Sequence, residues 1–348
     1  MKCVQVREFA QPLELAEVAE PSPPPGGVVI EVKAAGLCRS DWHAWQGHDA
    51  DIRSLPHIPG HEFSGTVVAV GRGVERWQPG DRVTAPFACG CGSCPECASG
   101  NSQVCPSQYQ PGFSGPGVFA ELVALPHADH NLVGLPKSVG FGEAASLGCR
   151  FATAFRALAH ADQAALRPGE TLAVFGCGGV GLSAVMIGAA LGAEVIAIDL
   201  RTEALQQARE FGAAHVLNAG DLEGIAEWTH GRGVNVAVDA IGSRETCIQA
   251  IHSLAPRGRH IQIGLMFGDD AAPALPMPSI IAKELRVIGS HGMAASRYPE
   301  MLEMVASGRL SPARLVSRSI ALHEVPAALE AMGRHQGAPG ITLVERFE

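Results

Sequence analysis

A chain of 348 residues with 47% hydrophobic and 18% charged content is long enough for two separate cores and too apolar to be a disordered tract. Its formal net charge of -9 and pI of about 5.9 oppose long-range attraction to nucleic-acid phosphates or anionic lipid, and 5% aromatic content offers little base-stacking surface. Neither nucleic acid nor a membrane is therefore expected as a partner.

The amino terminus, MKCVQVREFA, has no charged region leading into an apolar core and a small-residue cleavage site, so a cytoplasmic location is expected. Residues 21–27, PSPPPGG, form a stiff surface connector. From Val28 to about Val133 short β runs alternate with turns, among them VVIEVKAAG, FSGTVVAVG, DRVTAP and VFAELVAL, which predicts a β-rich, barrel-like domain. Two turns in this region carry isolated metal-binding residue types: Cys38 in GLCRSDWH and His61 in PGHEFSG. Between them and the last β run lie Cys91, Cys94, Cys97 and Cys105, reading CxxCxxC with a fourth Cys after seven residues. Such spacing lets the backbone curl around one tetrahedral zinc and close its shell with four thiolates; two disulfides are the alternative, disfavoured in a reducing compartment. Cys149 follows in SLGCRFATAF at the start of an expected helix. Cys38, His61 and Cys149 together would make a three-ligand site with one position open to substrate. Cys3, Cys89, Cys177 and Cys247 have no assigned role and are expected to pack as small hydrophobes.

After Gly148 the pattern changes to short apolar strands, expected at 171–176, 194–199, 215–217, 235–239, 260–264 and 285–289, with helices between most of them. That rhythm predicts a doubly wound parallel sheet covered on both faces. The first strand runs into Gly176-Cys177-Gly178-Gly179-Val180-Gly181 and then an apolar helix. Glycines in that context allow a tight turn and close approach of a dinucleotide pyrophosphate to a helix N-terminus. Asp199, eighteen residues beyond Gly181, is placed to accept hydrogen bonds from the adenosine ribose, which favours NAD over NADP; Arg201 faces solvent or brackets the adenine. Apolar runs such as 180–193 are broken by glycine and fall short of the ~20 residues of a membrane helix. Beyond about His291 the rhythm stops, and two helices and a last strand near 341–345 are expected to rejoin the first domain.

GLCRSDWH, GHEFSGTV, the four-cysteine lobe, LGCRFAT and GCGGVG, in that order over nearly the full length, resemble the zinc-containing medium-chain alcohol dehydrogenases. The resemblance implies an α/β protein: a GroES-like zinc and catalytic domain from residues 1–150 and 291–348, and a Rossmann cofactor domain from 151–290. It implies two zinc ions per chain, one catalytic on Cys38, His61 and Cys149 and one structural on Cys91, Cys94, Cys97 and Cys105. Glu62 would lie beside the catalytic metal and sometimes join its shell, and Asp41 would orient the ligand imidazole. Ser40 is similar to the family hydroxyl that contacts the substrate oxygen, and His43 to the imidazole that ends a proton relay. Phe87 would line the substrate cleft, with Trp45, Phe113 and Leu265 as weaker candidates. The implied activity is NAD-linked interconversion of alcohols with aldehydes or ketones by a homo-oligomer, dimer or tetramer. A polyol or other secondary-alcohol oxidoreductase on the same scaffold is the alternative, and a non-catalytic zinc-stabilised dinucleotide-binding protein a remote one. One departure stands out: many relatives carry Gly-Arg near the carboxyl terminus, where this chain reads Gly340-Ile341.

Overall fold

The computed structural model describes residues 1–219, 223–334 and 340–347. They divide into two units, Met1–Ala152 with Gly292–Glu348, and Thr153–His291.

In the first unit the ten-residue strand Val28–Leu37 is the organiser, because its β-branched run leaves few positions for solvent. It pairs with Glu62–Val70, Leu122–Leu125 and Ile341–Arg346 in a seven-stranded sheet that also holds Arg82–Thr84, Val133–Gly134 and Val316–Ala321. Ile30, Val32, Phe63, Val67, Phe119 and Leu125 form the centre of its core. Burial of each such side chain contributes roughly 1.5–3 kcal/mol. Antiparallel register sets Gly36 opposite Glu62. Cys38, just past the end of one strand, and His61, just before the start of the other, therefore emerge at the same end of the sheet. The first residue of the strand Ile341–Arg346, at the family departure, is fully buried and pairs with Val316, so Ile341 is a core residue.

The second unit is a six-stranded, all-parallel sheet in the order His215–Asn218, Glu194–Asp199, Thr171–Phe175, Val234–Asp239, Leu254–Gln262 and Arg286–Gly289. The order reverses direction at Thr171–Phe175, which makes the carboxyl end of that strand the switch point where such sheets take ligands. Ala173, Phe175, Ile196 and Ile198 pack one face against Ala250, Ile251 and Leu254. The fifth strand begins six residues earlier than its apolar run suggests, since Pro256, Arg257 and Gly258 mask its first half. A register shift against Val234–Asp239 accommodates the extra residues. Among the described residues no helix is long and apolar enough to cross a membrane.

Candidate active site and cofactor turn

Cys38 precedes the short helix Arg39–Trp45, and the third residue of that helix, Asp41, turns one carboxylate oxygen back to accept the Cys38 amide at 2.9 Å. Its other oxygen lies 2.6 Å from His61 Nδ1. One buried carboxylate thus caps the helix and fixes the imidazole, tying the Cys38 turn to the His61 turn. Cys149 arrives on a π-helical turn, Leu147–Phe151, the irregular kind of turn that aims a side chain off the regular helical track. Donor atoms of Cys38, His61, Glu62 and Cys149 all lie within 4.8 Å of one another.

The set fits a zinc ion. Asp41 occupies Nδ1, leaving His61 Nε2 as the available donor, and that nitrogen is buried without a hydrogen-bond partner. A buried imidazole nitrogen left so costs on the order of 1–3 kcal/mol unless something binds it. The hydrogen bond between the two thiols favours the Cys38 thiolate and, with burial, holds Cys149 well above the ordinary thiol range. Burial opposes protonation of His61, yet the Asp41 carboxylate and the Cys38 thiol outweigh it and raise the imidazole well above its usual value. A divalent cation would displace those protons and supply the missing positive charge.

Glu62 is fully buried beside these donors, and both its oxygens belong to Arg150. The Arg150 amide and Nε each reach Oε1 at 3.1 Å, and its terminal nitrogen closes on Oε2. Burial pushes the Glu62 carboxyl up, and the guanidinium pulls against that. This contact spans 88 residues of sequence, and Arg150 was not among the expected site residues. The Ser40 hydroxyl stands 3.8 Å from the Cys38 sulfur, at the edge of the same group. Phe87 and Phe113, both buried, set their rings 6.0 and 5.2 Å from that of His61 and give the site an apolar wall. Trp45 does not join them: it packs in the barrel core and donates its indole N–H to the Gln11 carbonyl. Leu265, in the other unit, is half exposed.

His43 Nδ1 lies 3.1 Å from His48 Nδ1, so one ring donates and the other accepts. Burial, with His48 and Arg39 adding to it, lowers the His43 pKa to about 4 and keeps the ring neutral near pH 7. His48 is a second residue that the sequence reading did not single out. An imidazole five residues on in a loop has no periodic signature.

The four-cysteine lobe is a separate group, with its sulfurs also within 4.8 Å of one another. None of the four is joined in a disulfide, and the Cys94 and Cys105 sulfurs stand 3.6 Å apart. Backbone N–H groups of Cys97 and Cys91 point at the Cys94 and Cys105 sulfurs, each at 3.4 Å, which stabilises thiolates. Hydrogen bonds from Ser93 lower the Cys91 thiol to about 5. Four converging sulfurs leave no position for a substrate.

In the second unit the strand Thr171–Phe175 turns at Gly176, whose φ of +92° only glycine adopts without strain, into the helix Gly179–Ala190 capped by Gly178. A Cβ on Gly181 would collide with the Gly176 carbonyl, while one on Gly178 would meet open space. The turn is therefore closed on its inner side and open where a phosphate could approach the first amides of the helix, those of Gly179, Val180 and Gly181. Asp199 is nearly buried: one oxygen accepts the Cys177 amide at 2.7 Å and the other the Arg201 amide at 2.9 Å, with Arg201 Nε at 3.3 Å. Arg201 thus leans on the carboxylate while its side chain remains 43% exposed.

Comparison with known proteins gives the family. The family described as alcohol dehydrogenase GroES-like domain matches residues 24–137, and the zinc-binding dehydrogenase family matches residues 179–307. The chain is 32% identical over 342 residues to the NAD-dependent alcohol dehydrogenase of Sulfurisphaera tokodaii, covering 95% of this chain and 96% of that one. It is 35% identical over 317 residues to an alcohol dehydrogenase of Rhizobium meliloti, covering 89% of this chain and 90% of that one. Among solved structures, the alcohol dehydrogenase TADH from Thermus sp. ATN1 superposes with a TM-score of 0.90 at 32% identity, with both chains covered completely. The chain belongs to the zinc-containing medium-chain alcohol dehydrogenase family.

Proposed function

We propose that the chain is an NAD-linked, zinc-dependent alcohol dehydrogenase that interconverts small alcohols with their aldehydes or ketones and binds two zinc ions, one on Cys38, His61 and Cys149 and one on Cys91, Cys94, Cys97 and Cys105. The observation that carries the reading is the buried His61 Nε2, without a hydrogen-bond partner and grouped with two thiols and a carboxylate, with its ring fixed from behind by Asp41. When bound, zinc supplies a Lewis acid for the substrate oxygen and NAD a hydride acceptor.

The chain's own residues do the rest. Asp41 holds the His61 tautomer and strengthens its donor nitrogen. Ser40 offers a hydroxyl to the substrate oxygen, and the hydrogen-bonded His43–His48 pair can take up a proton at one ring while releasing one from the other. Phe87 and Phe113 keep water from the imidazole and favour apolar substituents on the substrate. The amides at the Gly176–Gly181 turn bind pyrophosphate, and the Asp199 carboxylate repels a 2′-phosphate, which favours NAD.

A polyol reading has one observation behind it: the sorbitol dehydrogenase of Bacillus subtilis is 32% identical over 310 residues. A panel of primary, secondary and polyhydroxylated alcohols, followed by NADH and NADPH absorbance, separates the two. Oxidation of simple alcohols with NAD supports the main reading, preference for polyols supports the second, and no alcohol-dependent reduction of either nucleotide contradicts both.

A further inference from the structure

Glu62 poses a problem for the proposed zinc site. It is fully buried, and one of its oxygens lies within 4.8 Å of the Cys38, His61 and Cys149 donor atoms, so it could serve as a fourth ligand and fill the position a substrate needs. Two thiolates already balance a divalent cation. A buried carboxylate left without its own counter-ion would therefore turn to the nearest strong positive charge, the metal itself. In this chain Arg150 supplies that counter-ion. Its planar fork engages both carboxylate oxygens, and its backbone amide holds Oε1 as well.

Three further features show that space has been made for this pair. A Cβ on Gly36, the residue opposite Glu62 in the sheet, would collide with Glu62 Oε2 and come within 3.1 Å of the Arg150 guanidinium. Gly148 lies against the Glu62 backbone, where a Cβ would approach the Glu62 Cα to 3.3 Å. Tyr298, fully buried, donates to the Gly148 carbonyl at 3.2 Å and holds that turn in place. Because Arg150 directly follows Cys149, the turn that delivers a thiol ligand also delivers the clamp on the competing carboxylate.

We propose that Arg150 is a positioning residue that holds Glu62 outside the coordination shell of the metal bound by Cys38, His61 and Cys149, so that the fourth position stays open to substrate. The inference rests on the zinc reading above, and its test distinguishes the two. The holoenzyme is loaded with cobalt, and its visible d–d bands are titrated with imidazole, a neutral ligand for an open position. The four-thiolate site is closed and should contribute an unresponsive background.

In the unaltered protein the bands shift with imidazole. In Arg150→Gln, Glu62 is released toward the metal, and the half-saturating imidazole concentration rises about tenfold or more, because apparent affinity scales with the fraction of sites whose fourth position is free. Adding Glu62→Gln to Arg150→Gln restores the original titration, which a merely structural role for Arg150 would not predict. Should Arg150→Gln fail to fold, Arg150→Lys is read in the same way; it keeps the charge but loses the two-point fork, and a smaller rise is expected. An unchanged titration in the folded Arg150 variant, or a rise that Glu62→Gln does not reverse, overturns the inference while leaving the zinc reading intact. No imidazole response in the unaltered protein overturns both.

Discussion

The thiols of the lobe at Cys91–Cys105 come from one short stretch of chain and face one another, backbone amides and the Ser93 hydroxyl. Cys38, His61 and Cys149 come instead from two sheet-end turns and a π-helical turn, and they meet a carboxylate, a guanidinium, a hydroxyl and two aromatic rings. Both groups bring donor atoms within 4.8 Å of one another, so proximity does not distinguish them. What differs is the fourth position. In the lobe it is a cysteine, and the group can only hold the fold. In the barrel it is Glu62, already bound elsewhere, and the group can accept a substrate. A reactive metal site is thus recognised less by its ligands than by what keeps the last position free.

The comparison can be broken most forcefully at its open half. Cys149→Ser is expected to lower turnover by roughly a thousandfold, the equivalent of several kcal/mol of lost charge stabilisation, while NAD still binds in a fluorescence titration. At the closed half, Cys94→Ser should lower the thermal midpoint by about 10 °C, with activity falling only in step with the loss of folded protein, as followed by circular dichroism. Asp41→Asn removes the anchor behind His61 without removing a ligand. Metal competition with a chelator should then show about 10–100-fold weaker binding at the open site and unchanged binding at the lobe.

A control outside both groups sharpens the contrast. Gly181→Ala places a Cβ against the Gly176 carbonyl and is expected to weaken NAD binding about tenfold by calorimetry, with the metal content intact. The smallest effect is one of pH. His43 titrates at about 4 in the folded chain against 6.5 for the free side chain, so the unfolded chain takes up the proton first and stability is lost as pH falls from about 6.5 toward 4. Buried His57 and His260 are shifted in the same direction. His43→Gln should therefore lose less thermal midpoint between pH 7 and pH 5 than the parent chain, by a modest margin because the ring is only half-buried.

Residues whose partners lie nearby in sequence announced themselves. The lobe is readable because its four thiols share one short stretch of chain, and the cofactor turn because Gly176 and Gly181 do a local steric job between a strand and a helix. Asp41 was legible only through the family resemblance; its double role, capping Cys38 and holding His61, needs the sheet register that brings the two turns together. Arg150 was illegible for the same reason in stronger form. Its meaning lies in a contact 88 residues away, and an arginine at the start of a helix is more often solvated than clamped to a buried glutamate. Trp45, a weaker pocket candidate for which core packing is the ordinary expectation, keeps its ring in the core.

The central claim, one closed and one open metal group in the same chain, is tested most directly by native mass spectrometry of the purified protein and of Cys149→Ser. The account predicts two zinc ions per chain in the parent and one in the variant. Two zinc ions retained in the variant, or one in a parent that fully oxidises alcohol with NAD, would contradict it.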